Sequence, residues 1–124
     1  MALKVKFADT KHTEVAYLNA LETEEYFNGA SRRTLSFEIA PGVIGLDKLN
    51  ALCTEANCAT LQLINEEEGV TNIYEGYVLK LACGIHSKLV QEETPDTAAV
   101  YEDRLIFKLG KRTYIEEQLH KLGL

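Results

Sequence analysis

The sequence has no tryptophan, one methionine and only two prolines in 124 residues. So little proline argues against an extended or disordered proline-rich chain. Positive charge is also scarce, with 13 Lys and Arg against 19 Asp and Glu and a net charge of −6. Nucleic acids and anionic membranes are held by basic footprints, so neither is an expected partner. No apolar run approaches the roughly 20 residues of a membrane-spanning helix, and the most apolar stretch, residues 77–83, is interrupted by Lys80. Met1-Ala2-Leu3-Lys4-Val5-Lys6-Phe7 lacks the apolar centre of a signal peptide. Three cysteines (Cys53, Cys58, Cys83) cannot all pair within one chain, so reduced thiols in a protein made in the cytosol are expected. With no internal repeat and no linker, residues 1–124 are expected to form one domain.

What is present is ordinary for a folded chain: 46% apolar and 26% charged residues. Leu3, Val5 and Phe7 alternate with lysines, which reads as a short strand with one wet face. Residues 12–21 fit either a helix or a strand. Asn28-Gly29 is a turn signal, because both residues tolerate positive φ, and Leu35, Phe37 and Ile39 then alternate with polar residues. A hairpin of about residues 22–27 against 33–40 follows, which favours strand for the residues before it. Leu46, Leu49, Leu52, Cys53 and Ala56 recur at helical spacing, predicting a short inserted helix within about residues 45–56. Residues 59–65 and 71–81 are β-rich and flank the turn Glu66-Glu67-Glu68-Gly69, predicting a second hairpin.

Residues 85–90 continue the β pattern, the polar segment 91–97 reads as a mobile loop, and Leu105, Phe107 and Leu109 alternate beyond it. Thr113 and Glu116 have the spacing of a capping box, and Ile115, Leu119 and Leu122 form an i, i+4, i+7 stripe. The chain is therefore expected to end in an amphipathic helix over about residues 113–122. The predicted order is β-β-β-α-β-β-β-β-α. Its class is α+β, mainly β: an antiparallel β-roll or open barrel with one inserted helix and a C-terminal helix.

No catalytic constellation emerges. Cys53, Cys58, Cys83 and His86 make up the ligand types of a tetrahedral zinc site. However, Cys53 lies on the apolar face of the inserted helix, and on a regular strand Cys83 and His86 point to opposite faces. Buried thiols are the preferred reading; no cofactor is expected and a metal is not favoured. The glutamates, including Glu66–Glu68, lack the spacing of a calcium loop, and the glycines form no phosphate cradle. Arg32 and Arg33 beside the turn could pair with acidic groups of a neighbouring subunit. Tyr74 and Tyr77, at odd separation, would face opposite sides of one strand, one toward the core and one toward a partner. These four residues and the loop 91–97 are the candidate contacts.

Three segments carry a resemblance when taken in order. They are Tyr26-Phe27-Asn28-Gly29-Ala30-Ser31-Arg32-Arg33-Thr34-Leu35, the helix Leu46-Asp47-Lys48-Leu49-Asn50-Ala51-Leu52, and the hairpin from Ala59-Thr60-Leu61-Gln62-Leu63-Ile64-Asn65 to Ile73-Tyr74-Glu75-Gly76-Tyr77. Together, over about residues 27–109, the chain resembles small structural proteins of phage and prophage tail modules of Gram-positive bacteria. The resemblance implies a β-roll or sandwich carrying a helix, a homo-oligomer that assembles with other tail-type proteins, and residence in the virion. It implies no catalytic residue. The expectation is a non-enzymatic self-assembling subunit. The alternative is a small ligand- or metal-binding domain, or an enzyme, with Cys83, His86 and Tyr77 in the mouth of the roll.

Overall fold

The computed structural model describes residues 3–27 and 29–123. Eight strands and two helices follow one another as β1 (Leu3–Lys6), β2 (Glu14–Ala16), β3 (Asn19–Phe27), β4 (Ala30–Ile39), α1 (Leu46–Leu52), β5 (Thr60–Asn65), β6 (Val70–Glu75), β7 (Leu79–Gln91), β8 (Val100–Gly110) and α2 (Tyr114–Lys121). Among the described residues strand accounts for 53% and helix for 12%, so the class is α+β and mainly β, as expected. Among the described residues the strands form two antiparallel four-stranded sheets, ordered β2-β1-β5-β6 and β3-β4-β8-β7, and no closed barrel.

The strand count before the helix is four, one more than the sequence pattern predicts. Residues 12–21 are not helical. β2 pairs with β1, and the chain then crosses at Tyr17 and Leu18 into β3 of the other sheet. Backbone bonds secure that crossing, Tyr17 N–H donating to Leu3 O (3.0 Å) and Leu18 N–H to Glu38 O (2.7 Å). The same thing happens later: residues 71–81 are not one strand. Gly76, at φ +83°, breaks the run, leaving β6 in one sheet and β7 in the other.

Alternation on β4 and β8 builds the centre of the core. Leu35 opposes Leu109, Phe37 opposes Phe107 and Ile39 opposes Leu105, all buried. Phe107 stacks on Phe37 with centroids 4.6 Å apart and meets Phe7 of the facing layer at 6.0 Å. Val5, Val15, Leu61 and Leu63 close the core from the first sheet, and Leu49 of α1 caps one end. The helix α1 is shorter than predicted, because Cys53 (ψ 57°) leaves helical geometry and residues 54–58 turn back. The β3–β4 hairpin starts earlier than predicted, pairing Asn19 with Glu38 through to Phe27 with Ala30; Asn28 lies outside the described residues. Among the described residues no helix is long and apolar enough to cross a membrane.

Candidate interaction surface

Arg32 and Arg33, read together in the sequence, point to opposite faces of β4 and have different roles. Arg33 is exposed on one face, where its Nη2 donates to Glu22 Oε1 at 2.6 Å. Arg32 is buried, and the structure therefore places it inside the protomer rather than on a free contact surface. Its stem lies across Gly110, where a Cβ would come within 3.2 Å of Arg32 Cδ and 3.0 Å of Leu81 Cδ1. Its guanidinium donates to Glu116 Oε1 (2.5 Å) and Oε2 (3.1 Å), and to the carbonyls of Lys111 (3.0 Å) and Phe27 (2.9 Å from Nη2). This two-pronged pair holds the Glu116 carboxyl at about 2, well below the usual range. Glu116 also closes the predicted capping box, accepting from Thr113 N–H at 2.8 Å while Thr113 Oγ1 accepts from Glu116 N–H at 3.3 Å.

Tyr77 is likewise enclosed, and it is not on a strand. It sits in the β6–β7 connection after Gly76, so Tyr74 and Tyr77 do not present opposite faces of one strand; their rings meet edge-on at 6.1 Å. Tyr77 Oη donates to Glu22 Oε2 at 2.6 Å, and Lys111 Nζ lies 5.1 Å from its ring centroid. Burial, with the hydrogen bond to Glu22, pushes the phenol up to about 12. Glu22 is held low by the same bond and by Arg33. The hydroxyl is thus committed within the protomer, and Tyr74 stays half-buried.

The cysteines do come together. Cys53 and Cys58 are buried and Cys83 is half-buried. The neighbouring Cys58 thiol and burial push Cys53 up, and burial followed by Cys53 pushes Cys83 up. Protonated, enclosed thiols are poor nucleophiles. Cys83 opposes Phe107 on the core side of β7, whereas His86 opposes Arg104 on the other face and is exposed. Tyr77, Cys83 and His86 therefore do not converge. Among the described residues no group of three or more His, Cys, Asp or Glu is arranged to hold a metal ion.

The outer face of the second sheet is organised around Glu38, a buried carboxylate. Asn19 Nδ2 (2.9 Å), Lys88 Nζ (2.9 and 3.0 Å) and Arg104 Nη1 all donate to it. Burial pushes Glu38 up, but the bonds from Lys88, Arg104 and Asn19 outweigh it and hold the carboxyl at about 2. This hub ties β3 and β4 to the place where β7 and β8 leave the sheet.

Beyond that point the two strands continue alone. β4 pairs with β8 only from Leu105 to Gly110, whereas β7 and β8 remain paired from His86–Arg104 out to Gln91–Val100. At about 3.4 Å per residue, this two-stranded ribbon projects roughly 15 Å past β4. Ile85, Leu89 and Tyr101 lie on the side continuous with the core, Leu89 directly opposite Tyr101 and all three exposed. The polar segment 91–97, singled out in the sequence as a mobile contact, caps the ribbon, where a Thr94–Thr97 bridge tightens it. The sequence reading missed Leu89 and Tyr101; their signal is the apolar pairs Leu89-Val90 and Val100-Tyr101 flanking a polar loop. Compared with protein-family models, curated proteins and solved structures, the chain shows no significant match.

Proposed function

We propose that this chain is a non-enzymatic structural subunit that self-assembles, the β7–β8 ribbon of one copy packing on the next, in a particle of the phage-tail kind. The tail-module part of this reading rests on the sequence resemblance alone. The assembly part rests on the ribbon. An isolated two-stranded ribbon is marginal in water, because it has only one face-to-face neighbour per residue and nothing covering its apolar side. Here Leu89 and Tyr101 continue the inward face of the sheet past the end of β4 and are both exposed, while Ile85, still opposite Leu105, lies at the base of the ribbon beside Ile44 and Leu46. Exposed apolar residues on a paired, braced ribbon fit a contact completed by another protein surface. Among partners, a second copy satisfies the contact without further components, and a head-to-tail repeat of it generates rings or tubes. The test is to replace Leu89 and Tyr101 by lysine on the ribbon. Loss of concentration-dependent assembly with unchanged circular dichroism supports the reading; unchanged assembly removes the ribbon from it.

A further inference from the structure

The two sheets leave a cleft between their edge strands β3 and β6. Its volume is about 360 Å³, within the range of small-molecule sites. The register turns Asn72 and Tyr74 to the same side as Leu63 and Leu61, and Glu22 to the same side as Leu35, so both edges face inward across the opening. Buried Leu35 and Leu63 line its inner part. Tyr17 and Tyr74 line it as well, and each ring is braced by another: Tyr17 meets Phe37 edge-on at 5.4 Å, and Tyr74 meets Tyr77 at 6.1 Å. Glu22 is already engaged, its two oxygens taken by Arg33 and Tyr77. The hydroxyls of Tyr17 and Tyr74 and the amide of Asn72 have no hydrogen-bond partner among the described residues. Asn65 Oδ1 accepts from Glu68 N–H at 3.2 Å, which leaves its NH2 group free to donate.

We propose that this cleft binds one pyranose ring of an uncharged carbohydrate, its C–H face against Tyr74 and its hydroxyls on Asn65, Asn72 and Tyr17 Oη. Among the described residues no Lys, Arg or His lines the cleft, and the chain carries a net charge of −6, so a phosphate or carboxylate has nothing to hold it. A cation needs an unengaged carboxylate. That of Glu22 is paired with Arg33, and Glu68 is exposed, where water and salt screen it. A wholly apolar ligand strips water from two phenols and an amide and returns no hydrogen bonds. A sugar ring meets both demands. Its ring hydrogens form an apolar face that packs on an aromatic ring. Its hydroxyls both donate and accept, which matches an amide offering NH2 and C=O together. Burial, and then the nearby Tyr74 phenol, push the Tyr17 phenol up, so its hydroxyl keeps the proton it donates. β3 and β7 are opposite edges of their sheet, so the cleft is remote from the ribbon, and sugar binding and assembly fail separately.

The test titrates the full chain, labelled with nitrogen-15, with the methyl glycosides of glucose, galactose, mannose and N-acetylglucosamine, and follows the amide signals by NMR. Cyclohexanol, tetramethylammonium and inorganic phosphate serve as apolar, cationic and anionic controls. At least one glycoside is expected to give saturable shifts at millimolar concentration, confined to residues 17–22, 63–65 and 70–74. Asn72→Ala, at an exposed site, is expected to keep the fold and weaken that glycoside about tenfold, the cost of one or two lost hydrogen bonds. Tyr17→Phe, which keeps the ring and its contact with Phe37, is expected to weaken it several-fold. No saturable shift with any of the four glycosides overturns the inference, as do shifts centred outside the cleft. Cyclohexanol binding as tightly as the glycosides, with no loss in Asn72→Ala, overturns it in favour of an apolar ligand. Tighter binding of tetramethylammonium or phosphate overturns it in favour of a charged one.

Discussion

Replacing Glu38 by glutamine removes one negative charge from the centre of the outer sheet face with almost no change in shape. In the folded chain the Glu38 carboxyl is held at about 2 against an ordinary value of 4.5. At about 1.36 kcal/mol per unit, this preference is worth about 3 kcal/mol of folding stability. Only 11% of the side chain is exposed, so solvent screening takes little from the figure. The sign follows from the lowered value. The contribution is complete above the unfolded value near 4.5, and it disappears as the pH falls through the folded value near 2. Glu38→Gln should therefore cost about 2–3 kcal/mol at pH 7. The lower end applies because Lys88, with 48% of its side chain exposed, can turn to water once released, whereas Arg104 is more enclosed. Urea unfolding of both proteins at pH 7, 5, 4 and 3, followed by circular dichroism, measures the gap directly. The gap should hold from pH 7 to 5 and shrink steadily below 4.5. Other carboxylates titrate in the same range, but they do so in both proteins and cancel in the difference. A gap that stays constant down to pH 3 refutes the assignment of Glu38 as an ionised hub. Because Lys88 and Arg104 stand at the base of the ribbon, Glu38→Gln should also speed amide exchange in residues 86–104 more than in β4.

Arg32→Met keeps the stem over Gly110 but removes the guanidinium, and should cost about 2–4 kcal/mol. Amide exchange should rise in residues 111–122, and the Glu116 carboxyl, followed by NMR, should climb from about 2 toward its ordinary value. An unmoved Glu116 would show that α2 is held by something else. Tyr77→Phe removes the hydrogen bond to Glu22 and should cost about 1.5–3 kcal/mol by thermal or urea unfolding. In the unmodified protein, alkaline absorbance titration should find one tyrosine ionising near 12; titration of every tyrosine near 10 would contradict its enclosure.

The parts of this fold written in local pattern were readable from the chain. The Thr113–Glu116 capping box is made by neighbours three residues apart, and the alternation of Leu35, Phe37 and Ile39 follows from the pleat alone. The places where the chain changes sheets were not readable. Residues 14–27 and 70–81 keep strand character throughout, and only the tertiary arrangement decides which sheet each half joins. Arg32 was misjudged for the same reason. Its partners Lys111 and Glu116 lie 79 and 84 residues away, and its space exists because Gly110 has no side chain. Leu89 and Tyr101 sit on an ordinary-looking hairpin; their exposure appears only when β4 is seen to stop at Ile39, opposite Leu105.

Light scattering coupled to size exclusion, over a hundredfold concentration range, tests the central claim most directly when run on the unmodified chain beside Leu89→Lys/Tyr101→Lys. Self-assembly through the ribbon predicts mass rising with concentration toward a discrete oligomer for the first, and a monomer for the second. A strictly monomeric unmodified chain across the whole range would contradict it.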